Sequence, residues 1–198
     1  MAVIIKNLTK SFGKRRLFTI NALTLDNGIT CIGGQSGCGK TTFGRILTGL
    51  EGYDSGELTG VGKHPAVLFQ ESRLLPSLSA LKNVETVCRE DSFKTLSKEL
   101  LSELLFAEED MKKTPKELSG GMIRRVAIDR AIVFALENQS EFVLLDEPFT
   151  GLDDGTREIA ANIIKRTLND RTVLVITHDK AECELLSANY LSFSEISY

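Results

Sequence analysis

The stretch Gly34-Gln35-Ser36-Gly37-Cys38-Gly39-Lys40-Thr41 follows the spacing glycine, any four residues, glycine, lysine, then serine or threonine. That spacing suits the binding of phosphate groups. Glycines let the backbone curl until several N–H groups converge on one anion, and a helix starting there adds its positive end. Lys40 can then reach the outer phosphates of a nucleotide, and the Thr41 hydroxyl can ligate Mg²⁺. A second pair, Asp146-Glu147, ends the apolar run Phe142-Val143-Leu144-Leu145. A strand end delivers side chains to the carboxyl edge of a sheet, where ligands of α/β folds bind. Asp146 can hold Mg²⁺ there through water, and Glu147 can polarise an attacking water. The cysteines at 31, 38, 88 and 183 show no two-residue spacing of the zinc or redox kind and read as reduced thiols. His64 and His178 are too few and too far apart to suggest a metal site by themselves.

These residues need elements to position them. Ile29-Thr30-Cys31-Ile32 is a short buried-type strand running into the glycine loop, and Thr41 to Leu50 has apolar residues at helical spacing. The result is a strand–loop–helix unit. Earlier, Val3-Ile4-Ile5, Leu17 to Ile20 and Leu23-Thr24-Leu25 read as strands. Ala80 to Lys113 is mostly helical, and Ser119 to Ala135 predicts another helix. Phe142 to Leu145 and Thr172 to Thr177 are continuous apolar strands of the kind buried in a parallel sheet. Gly155 to Leu168 and Asp179 to Leu186 predict helices, and Tyr190 to Phe193 a closing strand. Strands and helices alternate at both ends of the chain, which implies a parallel α/β core with a helical subdomain inserted in the middle.

The composition sets outer bounds. The 198 residues are 42% hydrophobic and 26% charged, with 24 basic against 27 acidic side chains and a net charge of −3. Disorder and collagen-like fibre are excluded, and the acidic balance speaks against a dedicated nucleic-acid binder. No apolar run approaches the roughly 20 residues needed to span a bilayer, and the start Met1 to Lys6 is too short for a signal peptide. A cytoplasmic protein is expected.

Read in order, the phosphate loop, Gln70, Leu118-Ser119-Gly120-Gly121-Met122, Leu145-Asp146-Glu147-Pro148, Gly151-Leu152-Asp153 and His178 resemble the nucleotide-binding subunit of an ATP-binding cassette (ABC) transporter. The resemblance runs from about Ile5 to Leu186, and 27 residues separate Ser119 from Asp146. It implies a P-loop NTPase (RecA-like) parallel sheet core with an N-terminal antiparallel β subdomain and an inserted helical subdomain. The whole chain is then one ATPase domain, with residues 1–70 and 136–198 as catalytic core and 71–135 as the helical insert. It implies ATP and Mg²⁺ as ligands, bound along Gly34, Gln35, Ser36, Gly37, Cys38, Gly39, Lys40, Thr41 and Thr42. Two subunits, as a homodimer or with a close sibling, would sandwich two ATP molecules. Ser119, Gly120 and Gly121 of each would face the γ-phosphate held by the other.

The same resemblance gives Gln70 a contact with Mg²⁺ and a relay to the membrane partner, and His178 a contact with the γ-phosphate. It gives Asp153 communication across the dimer and Phe12 a stacking role on adenine. Glu147, His178 and Lys40 would carry catalysis, with Thr41, Gln70 and Asp146 around the metal. Further partners would be an integral membrane permease and a solute-binding protein, with the subunit peripheral on the inner face of the cell membrane. Departures from the family pattern are Met122, where many relatives have glutamine, together with Ile123, Ile132 and Asp129, which sets an acid inside the helix. Phe69 to Pro76 with Met122 is similar to importers of nitrate, sulfonates and taurine, so import of a small solute is expected. A soluble ABC ATPase of the iron–sulfur assembly type is the alternative. A small-substrate kinase would lack the Leu-Ser-Gly-Gly element, and a subunit unable to hydrolyse would not need both Glu147 and His178.

Overall fold

A computed structural model describes residues 2–198. Two sheets organise it. β1 (Val3–Phe12), β2 (Arg15–Leu25) and β4 (Ser55–Thr59) form an antiparallel sheet in the order β2-β1-β4. β3 (Gly28–Gly33), β5 (Ala66–Leu68), β6 (Phe142–Asp146), β7 (Thr172–Ile176) and β8 (Asn189–Ser192) form a sheet in the order β5-β6-β7-β3-β8, with every pairing parallel. β6 and β7 are buried at every position, as strands covered on both faces must be.

The two faces of the parallel sheet sort the core by alternation of side chains. Phe142, Leu144, Leu174, Ile176 and Ile32 join one cluster with Phe43, Ile46 and Leu47 of α1 (Lys40–Leu47) and with Val3, Ile5, Phe18 and Ile20 of the antiparallel sheet. Phe18 packs edge-on against Phe43 and Phe193 there, with ring centroids 6.1 and 5.5 Å away. Val143, Leu145, Val173, Val175 and Cys31 point to the other face. That face is covered by α2 (Ala80–Glu85), α3 (Asp91–Glu103), α4 (Gly120–Glu137), α5 (Asp154–Leu168) and α6 (Lys180–Leu185), and its hydrophobic cluster runs without a break from the sheet into these helices. A short α7 (Phe193–Ile196) follows β8, and Tyr198 pairs with Thr19 through both backbone bonds.

Several elements differ from the sequence expectation. β2 is one strand rather than two runs, because Asn21 and Ala22 sit on an exposed stretch of an edge strand whose ladder to β1 continues through Lys6↔Ala22. β4 and β5 were not expected: β4 is polar and almost wholly exposed, and β5 is three residues long. α1 stops at Leu47 instead of Leu50, since Gly49 takes a left-handed φ of 73° and ends the helix. The region Ala80 to Lys113 divides into α2, α3 and a 3-10 turn, Asp110–Lys112, with Leu105 at a φ of 62° after α3.

Candidate nucleotide site

The phosphate loop joins β3 to α1. Gly39, the residue before α1, has a φ of 112°, and a Cβ there would lie 2.9 Å from the Phe18 ring, so both conformation and space require glycine. No side chain caps α1, and its first turn carries no acid, so its leading N–H groups keep their positive character. Lys40 is buried and donates to the carbonyls of Gly34 and Gln35, both at 2.8 Å. The ammonium is thereby strapped across the loop, with the Cys38 sulfur 3.7 Å away.

Asp146 ends β6 and is buried. Burial pushes its carboxyl above the usual range, while a hydrogen bond from the Thr41 hydroxyl and the Arg124 charge act against that shift. Its Oδ1 has no hydrogen-bond partner. Beside it lies a small cavity of about 50 Å³ lined by Thr41, Gln70, Glu71 and Asp146, with the basic Arg45 and Arg73 and the apolar Phe69 and Leu144 on the same lining. An orphaned carboxylate oxygen, a hydroxyl and an amide around such a space fit Mg²⁺, which takes one or two carboxylates and completes its shell with water and phosphate. Among the described residues no group of three or more His, Cys, Asp or Glu could hold a metal.

Glu147 adopts a left-handed φ of 52°, an arrangement that costs a non-glycine residue about 1–3 kcal/mol. Its N–H donates to Ile176 O at 2.8 Å, which ties the turn after β6 to the end of β7. The turn brings its carboxylate to His178 Nδ1, at 2.9 and 3.0 Å from the two oxygens. That hydrogen bond and the Glu147 charge hold the imidazole above its ordinary range. Thr177, just before it, donates to the buried Glu182 at 2.5 Å and accepts from the Asp179 N–H, which sets the backbone path of the His178 segment.

A cavity of about 510 Å³ gathers most of the expected residues. Phe12, Gly34, Ser36, Gly37, Gly39, Lys40, Thr41, Thr42, Gln70, Asp146, Glu147 and His178 all line it. Phe12 is 54% exposed, with Lys10 Nζ 4.7 Å from its ring centre, so a flat aromatic face stands at the margin of the cavity. Leu17, Thr150 and Ile176 line it as well and were not singled out by sequence. Gln35 and Cys38 belong to the loop but do not line the cavity.

Ser119, Gly120, Gly121 and Asp153 also stand outside that cavity. The Ser119 hydroxyl accepts from Met122 N at 3.2 Å and caps α4, leaving Gly120 exposed. A Cβ on Gly121 would meet Gly151 O at 2.9 Å, so the start of α4 is pressed against the Gly151 turn. Asp153 is exposed and caps α5, accepting from the Thr156 N–H at 3.0 Å and its hydroxyl at 2.7 Å. Sequence reasoning missed Arg124, which is buried and donates to the Glu147 carbonyl at 2.6 Å. Nothing in a helix sequence marks an inward arginine.

Fold and site together define a phosphate-loop nucleoside triphosphatase. The family described as ABC transporter matches residues 20–150. The chain is 36% identical over 198 residues to the aliphatic sulfonates import ATP-binding protein SsuB of Corynebacterium glutamicum, covering 96% of this chain and 79% of that one. It is 38% identical to SsuB 1 of Pseudomonas syringae pv. tomato, over 93% of this chain and 67% of that one. It is also 36% identical to the spermidine/putrescine import ATP-binding protein PotA of Thermotoga maritima, over 91% of this chain and 52% of that one. A dimeric structure of a bacterial ABC transporter cassette superposes with a TM-score of 0.81 at 25% identity, over 96% of this chain and 94% of that one. A dimeric post-hydrolysis cassette bound to ADP and phosphate superposes with a TM-score of 0.78 at 26% identity, over 92% and 90%. The chain belongs to the ABC transporter family, as an ATP-binding, ATP-hydrolysing subunit, and the iron–sulfur alternative is not favoured.

Proposed function

We propose that this chain binds MgATP in the 510 Å³ cavity, hydrolyses it between two copies, and powers import of a small solute through a separate membrane subunit. The observation that carries this reading is the meeting of Glu147 and His178 at the same cavity as the phosphate loop. Lys40 and the leading N–H groups of α1 hold the β- and γ-phosphates, and Phe12 offers its ring to the base. Thr41, Gln70 and Asp146 are the groups that would hold Mg²⁺, which when bound neutralises charge on the phosphate oxygens. Glu147 accepts hydrogen bonding from the attacking water and draws off its proton as the bond to the γ-phosphorus forms. His178, held above its ordinary range by its hydrogen bond to Glu147, orients the Glu147 carboxylate and faces the γ-phosphate side.

The exposed start of α4 supports the second half of the proposal. Ser119 and Gly120 are exposed, and none of Ser119, Gly120 and Gly121 lines the cavity of its own chain. In a head-to-tail pair they close the partner's γ-phosphate, and Asp153 lies beside that seam. The residue range 71–135 acts as the helical insert that grips the permease. Among the described residues no helix is long and apolar enough to cross a membrane, which is why transport calls for a separate permease. The subunit then sits peripherally on the inner face of the cell membrane, with a solute-binding protein on the far side. The solute never meets this cavity, so the chain's own site does not select it.

Affinity purification of the chain from detergent-extracted membranes, followed by ATPase assay, tests the proposal. An integral membrane protein is expected to accompany it, with phosphate release that Lys40→Ala abolishes by weakening nucleotide binding. A wholly soluble complex, or unchanged ATP affinity in Lys40→Ala, would remove it.

A further inference from the structure

Arg124 sits in the second turn of α4, five positions after Ser119, and is only 3% exposed. A guanidinium has five N–H donors in a fixed planar fork. Here all five are used, and every acceptor is a backbone carbonyl. Nε donates to Pro148 O at 3.0 Å; Nη1 donates to Phe69 O and Gln70 O at 2.7 and 3.2 Å; Nη2 donates to Asp146 O and Glu147 O at 2.5 and 2.6 Å. Burial lowers its pKa to about 10, opposed by the charges of Asp146, Glu147 and Glu182, so the group is cationic at neutral pH. A buried cation satisfied by carbonyl dipoles alone is a specific arrangement, since any shift of one carbonyl leaves a desolvated donor without a partner.

The five carbonyls belong to two segments far apart in sequence, 69–70 and 146–148. These segments leave the sheet at the carboxyl ends of adjacent strands, β5 and β6. Each also delivers a side chain to the nucleotide cavity, Gln70 from one and Glu147 from the other. The Glu147 carbonyl that Arg124 holds belongs to the residue with the left-handed φ, so the same bond stabilises the turn that aims its carboxylate. Arg124 itself rides on the helix whose first residues do not line the cavity.

We propose that Arg124 is a positioning residue for hydrolysis: its fork locks the Gln70 and Glu147 segments to each other and to α4, so that the carboxylate in the cavity and the outward face of α4 are set as one unit. This rests on reading the cavity as the ATP site. Lysine cannot substitute, because an ammonium offers three donors from one point where five are needed in a plane.

The test compares the full chain with Arg124→Lys and Arg124→Gln. ATP affinity is expected to stay within about 3-fold of wild type, because the hydrogen bonds of Arg124 go to segments 69–70 and 146–148 rather than to the phosphate loop, while kcat falls by about 10-fold or more with KM little changed. In the Arg124→Lys background, Gln70→Ala should cost far less than it does alone, a non-additivity that marks shared positioning. The NMR midpoint of His178, raised by its Glu147 contact in wild type, should move towards the value measured in Glu147→Gln. A near-normal kcat would overturn the proposal. So would a lower kcat with additive effects and an unmoved His178 midpoint. Failure of both variants to fold would overturn it too, since the residue would then serve the fold rather than the site. If the wild-type chain shows no hydrolysis at all, the ATPase reading falls instead, and the His178 midpoint alone still decides the role of Arg124.

Discussion

Two helices in this protein begin on glycine-rich turns, and their surroundings could hardly differ more. The start of α1 is enclosed by its own chain: Lys40 is strapped across the loop, and Thr41, Asp146, Glu147 and His178 line the same cavity. The start of α4 is capped by Ser119 and backed by Gly151, with Gly120 exposed. The backbone chemistry at both ends is the same, a set of N–H groups and a positive dipole end suited to an anion. What separates them is completeness. On the proposed reading, α1 has its charges, its metal donors and its base supplied locally, whereas α4 would offer one wall of a site that another molecule completes.

The contrast can be broken at four points, of decreasing size. Glu147→Gln acts on the α1 side. It should keep ATP binding and lose about 10²–10⁴-fold in phosphate release, the usual span for removing a general base. Sedimentation should then show an ATP-locked dimer, and near-normal turnover would show that the cavity does not use its carboxylate.

Gly120→Asp acts on the α4 side. A Cβ at Gly120 meets nothing within 4 Å, and an acid in a first helical turn is favourable, so the variant should melt like wild type. A carboxylate aimed at the partner's γ-phosphate should nevertheless cut hydrolysis by about 10–100-fold, an order set by like-charge repulsion of a few kcal/mol across a desolvated seam. ATP binding by the single chain should be untouched. Equal hydrolysis in the variant would mean that α4 faces no phosphate.

The third point lies inside α4. Asp129 is fully buried and neither carboxylate oxygen has a hydrogen-bond partner. Burial lifts its carboxyl well above the usual range, so the folded chain keeps a proton that the unfolded chain releases. Stability is therefore lost as pH rises above the ordinary carboxyl range. Asp129→Ala should stabilise the protein by about 1–3 kcal/mol at neutral pH. Melting curves should show roughly 2–4 °C per kcal/mol for a chain of this size, with the advantage shrinking towards pH 4. A pH-independent difference would place another group beside the carboxyl.

The smallest effect is at His178. Its midpoint is raised by Glu147, so this pair stabilises the fold fully below the ordinary histidine range and ceases to do so as pH rises through the raised midpoint. The imidazole side chain is 75% exposed, so the contribution should stay below about 1 kcal/mol. NMR titration should place the His178 midpoint above that of Glu147→Gln, and identical midpoints would dissolve the pair.

Local features of this kind were legible to different degrees. The glycine loop, the strands β3, β6 and β7 and the helix after the loop follow from spacing and periodicity, because their cause is local: glycine conformation, an apolar run, a helical repeat. β4 escaped notice since its residues are polar and gain their strand geometry only from pairing with β1. β5 escaped because three residues carry no period, although its carboxyl end is what places Gln70.

The sequence alone determined which residues could handle phosphate, metal and water, and that a parallel sheet would present them, because those properties reside in residue type and short-range order. Only the tertiary structure decided that Glu147 and His178, 31 positions apart, share a hydrogen bond, that Asp146 keeps an oxygen free beside Thr41 and Gln70, and that Arg124 turns inward to bind five carbonyls. Such contacts depend on how strand ends and a helix face come together across long stretches of chain, and an arginine on a helix has the same spacing whether it meets water or carbonyl oxygens.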